Sequence, residues 1–146
     1  MNPPIFAAPR FRSVHAEFSA LATDPGRGET GLILDPSGRL EMVSNLESVE
    51  QSLALLLSTR PGERVMRPQY GCDLHRLVFA PNDDTTAGLA AHYVRKALQT
   101  WEPRVELLDV DAVRDQAAPY VLNITLSYRL RSTGKQSGLT YVFPLT

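Results

Sequence analysis

Glu63 and Glu102 are the carboxylates best placed to do chemistry, because each stands at the boundary of an expected element, where a cleft can open. A two-carboxylate glycosidase needs one acid with a raised pKa, yet Arg64 and Arg104 lie beside or near these two glutamates. A neighbouring guanidinium lowers a carboxylate pKa, which suits ion pairing better than proton donation. Cys72 and His75 have the spacing of a thiol–imidazole couple or half a zinc site. Zinc takes three or four ligands, and neither His15 nor His92 has ligand spacing to them. A packed cysteine and a surface or capping histidine account for the pair. Asp83 and Asp84 precede an expected helix, where capping and the helix dipole explain them. Asp109 and Asp111 flank Val110 and form the solvated face of a strand. There is no GxxxxGK[ST] or GxGxxG run to cradle phosphate. The residues predict no catalytic, cofactor or metal site.

The chain that must position these residues has 146 of them, enough for one domain burying about 68–70% of its unfolded surface. Its 43% apolar and 21% charged content are ordinary for a globular protein. Fifteen Lys and Arg against sixteen Asp and Glu give a net charge of −1, with no broad positive field for nucleic acid or a membrane surface. The longest apolar run, Leu53–Leu57, is far shorter than the roughly 20 residues a bilayer requires. Met1–Arg10 lacks the pattern of a Sec-type signal, so cytosolic synthesis and assembly are expected. A single cysteine, Cys72, excludes an internal disulfide.

Residues 1–30 carry four of the eleven prolines and read as an irregular arm, with one or two helical turns over Phe11–Leu21. Residues 31–146 read as the domain. Gly31–Leu34 and Leu40–Val43 flank the turn Asp35-Pro36-Ser37-Gly38, which predicts a hairpin. Ser44 and Glu47 fit a capping box, and Leu46, Val49, Leu53, Leu56 and Leu57 recur at helical spacing, predicting a helix over about 45–59. Pro61-Gly62 stops it. Val65 and Met66 form a short strand before Pro68, and Leu74, Leu77, Val78 and Phe79 fold back onto the core around Gly71. A second helix runs from Asp83–Thr85 to Trp101, with Ala90, Val94, Ala97, Leu98 and Trp101 on one face. Strands follow at Val105–Val113, at Leu122–Leu130 and after the Gly134/Gly138 turn. The fold class is α+β: a single domain with a mostly antiparallel sheet and two main helices on one face, plus the N-terminal arm.

The run Leu57-Ser-Thr-Arg-Pro-Gly-Glu-Arg-Val-Met-Arg-Pro-Gln-Tyr-Gly-Cys-Asp-Leu-His-Arg-Leu-Val-Phe79 resembles the signature of the baseplate wedge family of contractile tails. That family is shared by myophages, type VI secretion systems and extracellular contractile injection systems. Trp101-Glu102-Pro103-Arg104 resembles the family's Glu-Pro-Arg motif at the end of the second long helix. The resemblance covers about residues 40–146. Tyr70 stands where Phe is common and Gln69 where an acid is common. The full Gly-Glu-Arg-Val-Met-Arg-Pro run looks closer to phage-like and extracellular particles than to type VI systems.

What the resemblance implies is a structural subunit and no enzyme. Glu102, Pro103 and Arg104 would bind a helical core bundle made by larger baseplate wedge proteins. Gly62, Glu63, Arg64 and Gly71 would shape a turn or touch a partner, with Glu63 and Arg64 mainly locking the turn. The edge strand Leu139, Tyr141, Phe143 and Leu145 would face the sheath subunits, whose extended arms add to it as strands. The spike hub and inner tube end are further neighbours, and six copies are expected per particle. Two other readings compete: a regulatory adaptor on the same fold, and a lysozyme-like hydrolase using Glu63 or Glu102.

Overall fold

A computed structural model describes residues 12–14, 16–17, 31–32, 36–39, 42–44 and 46–146. Short strands β1 (Arg12–Val14), β2 (Ala16–Glu17), β3 (Gly31–Leu32) and β4 (Met42–Ser44) precede helix α1 (Leu46–Ser58). Helix α2 (Asp84–Trp101) follows, then strands β5 (Val105–Arg114), β6 (Val121–Leu130) and β7 (Gln136–Pro144). The result is the expected α+β architecture with two main helices and an antiparallel β5-β6-β7 sheet.

Both helices form for the reasons their sequences carry. Val49, Leu53, Leu56 and Leu57 of α1 are buried, as are Ala90, Val94, Ala97 and Leu98 of α2. These are single stripes at a 3.6-residue period. Asp83 caps α2 by accepting the Thr86 amide at 2.8 Å. The capping box at Ser44 lies outside the described side chains. On β6, Leu122, Ile124, Leu126, Tyr128 and Leu130 are all buried, and their neighbours between are more exposed. Leu139, Tyr141 and Phe143 continue that layer on β7. On β5 the register slips between Leu107 and Asp109. The bulge moves the inward positions from Val105 to Val110, which leaves Leu108 exposed while Asp109 and Asp111 keep to the solvated face.

Four expectations change. Over Phe11–Leu21 the described residues form strands: β1 pairs with β4 and β2 with β3, so main-chain pairing with distant segments overrides weak helical propensity. The turn expected between Gly31 and Val43 is present, with Gly38 at φ 79°, but the described flanks pair with β2 and β1 instead of each other. Ile33, Leu34, Leu40 and Glu41 lie outside the described residues. Val65 and Met66 form no strand: the Gly62 amide bonds the Pro68 carbonyl at 2.6 Å, closing a tight loop with no strand beside it among the described residues. Leu74 and Leu77 do fold back onto the core, but Phe79 points outward, 85% exposed.

Candidate functional site

At the end of α2 the chain turns sharply. Glu102 closes the helix by donating its amide to the Leu98 carbonyl at 2.9 Å, and Pro103 prevents another turn. Arg104 then folds back on Glu102 as a fork: its Nε donates to Oε1 at 2.6 Å and its Nη2 to Oε2 at 2.7 Å. The Glu102 side chain is only 7% exposed, so the guanidinium neutralises a carboxylate already withdrawn from water. That bond to Glu102 holds the Arg104 pKa above its ordinary value, against the opposing effect of burial. The Arg104 carbonyl accepts the Arg131 amide at 3.0 Å, fastening the turn to the end of β6. A groove of about 320 Å³ opens here, bordered by Leu98, Pro103, Leu107 and Arg131.

The end of α1 is built just as tightly. Arg60-Pro61-Gly62-Glu63 is a turn in which the Glu63 amide donates to the Arg60 carbonyl at 3.1 Å and Gly62 takes φ 97°. Glu63 accepts the Arg60 amide on Oε2 at 2.9 Å, so its carboxylate closes the turn on that amide, while Arg64 turns to the Tyr70 ring. Gly71 at φ 139° passes so close to Thr59 that the next amide, of Cys72, reaches the Thr59 carbonyl at 2.9 Å.

Tyr70 joins the two ends. The Arg64 guanidinium carbon lies 4.4 Å from its ring centroid, and Trp101 meets the ring edge-on at 5.5 Å. Burial pushes the Tyr70 hydroxyl pKa up; Arg64 pulls it down, Glu102 pushes it up and Arg104 pulls it down. The run around Gly62 and the Glu102-Pro103-Arg104 turn, distant in sequence, are therefore one surface. Sequence reasoning placed both motifs but missed Tyr70 and Trp101 as the joint. An aromatic immediately before Gly71 and another immediately before Glu102 were the available signal.

A second feature lies on β7, which has no strand neighbour other than β6 among the described residues. The Leu130 amide bonds the Lys135 carbonyl and the Leu145 amide bonds the Tyr120 carbonyl, which fixes the alternation along the strand. Leu139, Tyr141 and Phe143 therefore turn both their side chains and their main-chain groups inward, toward the core and β6. The outward amides and carbonyls belong to Gly138, Thr140 and Val142.

The other sequence candidates have structural roles. Cys72 is buried, and His75 Nδ1 stands 3.4 Å from its carbonyl. Asp83 is a helix cap, and exposed Asp84 pairs with Arg114 at 3.1 Å. No cluster of three metal-ligating side chains occurs among the described residues. No described helix is long and apolar enough to cross a membrane.

The model of the family "Baseplate wedge protein gp25" matches residues 43–135, the span that holds both helix ends and their joint. This chain belongs to that family of baseplate wedge proteins. Baseplate wedge protein gp25 of Enterobacteria phage T4 is 32% identical over 68 residues, covering 47% of this chain and 52% of that protein, about half its length. Baseplate protein W of Escherichia phage P2 is 32% identical over 98 residues, covering 67% of this chain and 84% of that one. Among solved structures, a Geobacter sulfurreducens protein described as a candidate tail lysozyme is 44% identical with a TM-score of 0.61, covering 71% of this chain and 97% of that one. A chain of the postcontracted pyocin R2 baseplate is 30% identical with a TM-score of 0.53, covering 68% and 98%. The wedge protein described here is thus a structural component of the baseplate of a contractile, phage-tail-like particle.

Proposed function

We propose that this wedge subunit docks on the core bundle of larger wedge proteins through its Glu102-Pro103-Arg104 turn and starts the sheath through the outer edge of β7. The observation that carries the reading is that edge. From Gln136 to Pro144 there is no charged side chain, and no bulge interrupts the pairing with β6. Proteins ordinarily blunt an exposed strand edge with charge, proline or a bulge. Here the outward groups of Gly138, Thr140 and Val142 meet no other strand among the described residues, and only Pro144 marks the end. An extended arm from a sheath subunit would add as a fourth strand, each main-chain bond contributing about 0.5–1.5 kcal/mol. Six such subunits around the particle axis would present six edges and template the first sheath ring. Sheath subunits and the larger wedge proteins are the partners, the spike hub and tube end the inner neighbours, and assembly takes place in the cytoplasm.

The subunit catalyses nothing in this reading. Its two candidate acids are already engaged, Glu102 with Arg104 and Glu63 with the Arg60 amide.

Thr140→Pro tests the edge, because it removes an outward amide without touching the bonds to β6. Particles assembled with a folded Thr140→Pro subunit should be baseplates or naked tubes lacking sheath when sedimented and viewed by negative-stain microscopy. Normal sheath in that variant would refute strand addition; normal sheath after deletion of the gene would refute the function.

A further inference from the structure

Val65 and Met66 are 95% and 92% exposed, the most exposed of the large apolar residues described. Scattered single apolar residues on a surface need no explanation. These two are consecutive and sit on a loop that is fixed at both ends. The Gly62 amide reaches the Pro68 carbonyl at 2.6 Å, the Tyr70 amide reaches the Arg67 carbonyl at 3.1 Å, and Arg64 is held over the Tyr70 ring. The loop cannot turn its tip inward, so the backbone holds apolar surface in water.

The surrounding charge is one-sided. Between Arg60 and Gly71 stand three arginines, Arg60, Arg64 and Arg67, against the single acid Glu63. Glu63 is occupied with the Arg60 amide, and Glu102 beside Tyr70 is occupied with Arg104. Arg60 and Arg67 are exposed.

We infer that Val65 and Met66 insert into an apolar pocket with a carboxylate rim on a larger wedge protein, with Arg60 and Arg67 meeting the rim. Charge complementarity selects this partner: a basic rim would repel the arginines, and a wholly apolar one would desolvate them without compensation. Methionine adapts to an irregular pocket, and β-branched valine gives a stiff anchor. The inference rests on the reading that the subunit docks through its Glu102-Pro103-Arg104 end, since Tyr70 and Trp101 place this loop beside that turn.

The test uses baseplate wedge complexes purified from a strain lacking this gene, titrated with the purified subunit. Val65→Ser/Met66→Ser should melt like wild type, because these side chains bury almost nothing, yet bind on the order of tenfold more weakly. Arg60→Glu/Arg67→Glu should also bind more weakly, and added salt should raise its affinity where it lowers that of wild type. Wild-type affinity in the serine variant would overturn the proposal while leaving docking intact. Weak binding by the serine variant together with an unchanged arginine variant would overturn the carboxylate rim. Failure of wild type itself to bind would overturn the docking reading and this proposal with it.

Discussion

The Thr59 carbonyl oxygen stands 2.6 Å from where a Cβ on Gly71 would lie, with the Pro61 nitrogen at 2.8 Å and the Arg60 carbonyl carbon at 2.9 Å. These are backbone atoms that cannot rotate aside, and φ 139° is itself hostile to a side chain. Gly71→Ala must therefore separate the end of α1 from the loop after it, breaking the bond from the Cys72 amide to Thr59. The expected cost is about 2–4 kcal/mol, read as a lower urea midpoint. Gly62→Ala is the control, because nothing lies within 4 Å of its Cβ position. It should cost only about 1–2 kcal/mol for its positive φ. Equal losses would show that close approach is not what Gly71 provides.

Phe79 takes φ 70°, donates its amide to the Leu145 carbonyl at 2.6 Å and leaves its ring 85% exposed. Phe79→Gly relieves about 1–2 kcal/mol of backbone strain. It also frees the unfolded chain, which offsets about 0.4–1 kcal/mol of that gain. Thermal melts should find the variant equal to wild type or slightly more stable. Phe143 is 8% exposed, and its replacement by Ala should cost about 3–5 kcal/mol. A large loss at Phe79 would mean that its ring packs against the protein in solution.

Burial pushes the Cys72 thiol from its ordinary value of 9.0 up to about 11, with the Leu74 amide acting the other way. The unfolded chain therefore releases this proton at lower pH than the folded one. Stability is complete below about pH 9 and falls as pH rises toward 11, because deprotonation favours the unfolded state. Tyr141, pushed up to about 12 by burial and then by Cys72, extends the fall to higher pH. Denaturant titrations across this range should show the decline, and Cys72→Ala should remove its first part. Iodoacetamide should label Cys72 only as the protein unfolds; rapid labelling of the native state would contradict its burial.

Periodicity made most of this architecture readable. The leucines of α1, the alanine-rich face of α2 and the alternation of β6 each name their buried side without knowledge of the partner. What stayed hidden depends on distant segments. Strands as short as β1 and β2 cannot display a period, and their pairing with β3 and β4 is settled by main-chain bonds. Val65 and Met66 have the composition of a strand, but the bond from the Gly62 amide to the Pro68 carbonyl folds them into a loop that no described strand adjoins. Phe79 looks like a core residue until the Leu145 carbonyl fixes its backbone. At the candidate site, Glu102, Arg104 and Glu63 were visible by type, whereas the contact of Tyr70 with both Arg64 and Trp101 was not, because no local pattern encodes a meeting of two helix ends.

The Glu102–Arg104 fork decides how the docking turn should be tested. Arg104→Ala strands a buried carboxylate and should cost about 2–4 kcal/mol, at or below the usual range for breaking a buried pair because Arg104 is itself 28% exposed. Glu102→Ala leaves a guanidinium that can reach water and should cost less. The double variant Glu102→Ala/Arg104→Ala removes both charges, so it should be more stable than Arg104→Ala alone, a coupling measurable by urea denaturation of all four proteins. Loss of assembly in Arg104→Ala would therefore confound misfolding with lost contact, and the double variant is the informative one. If it folds and particles lack sheath, the turn is a docking element. If it folds and normally sheathed particles form, the fork serves only to close α2, and the larger wedge proteins must be bound elsewhere.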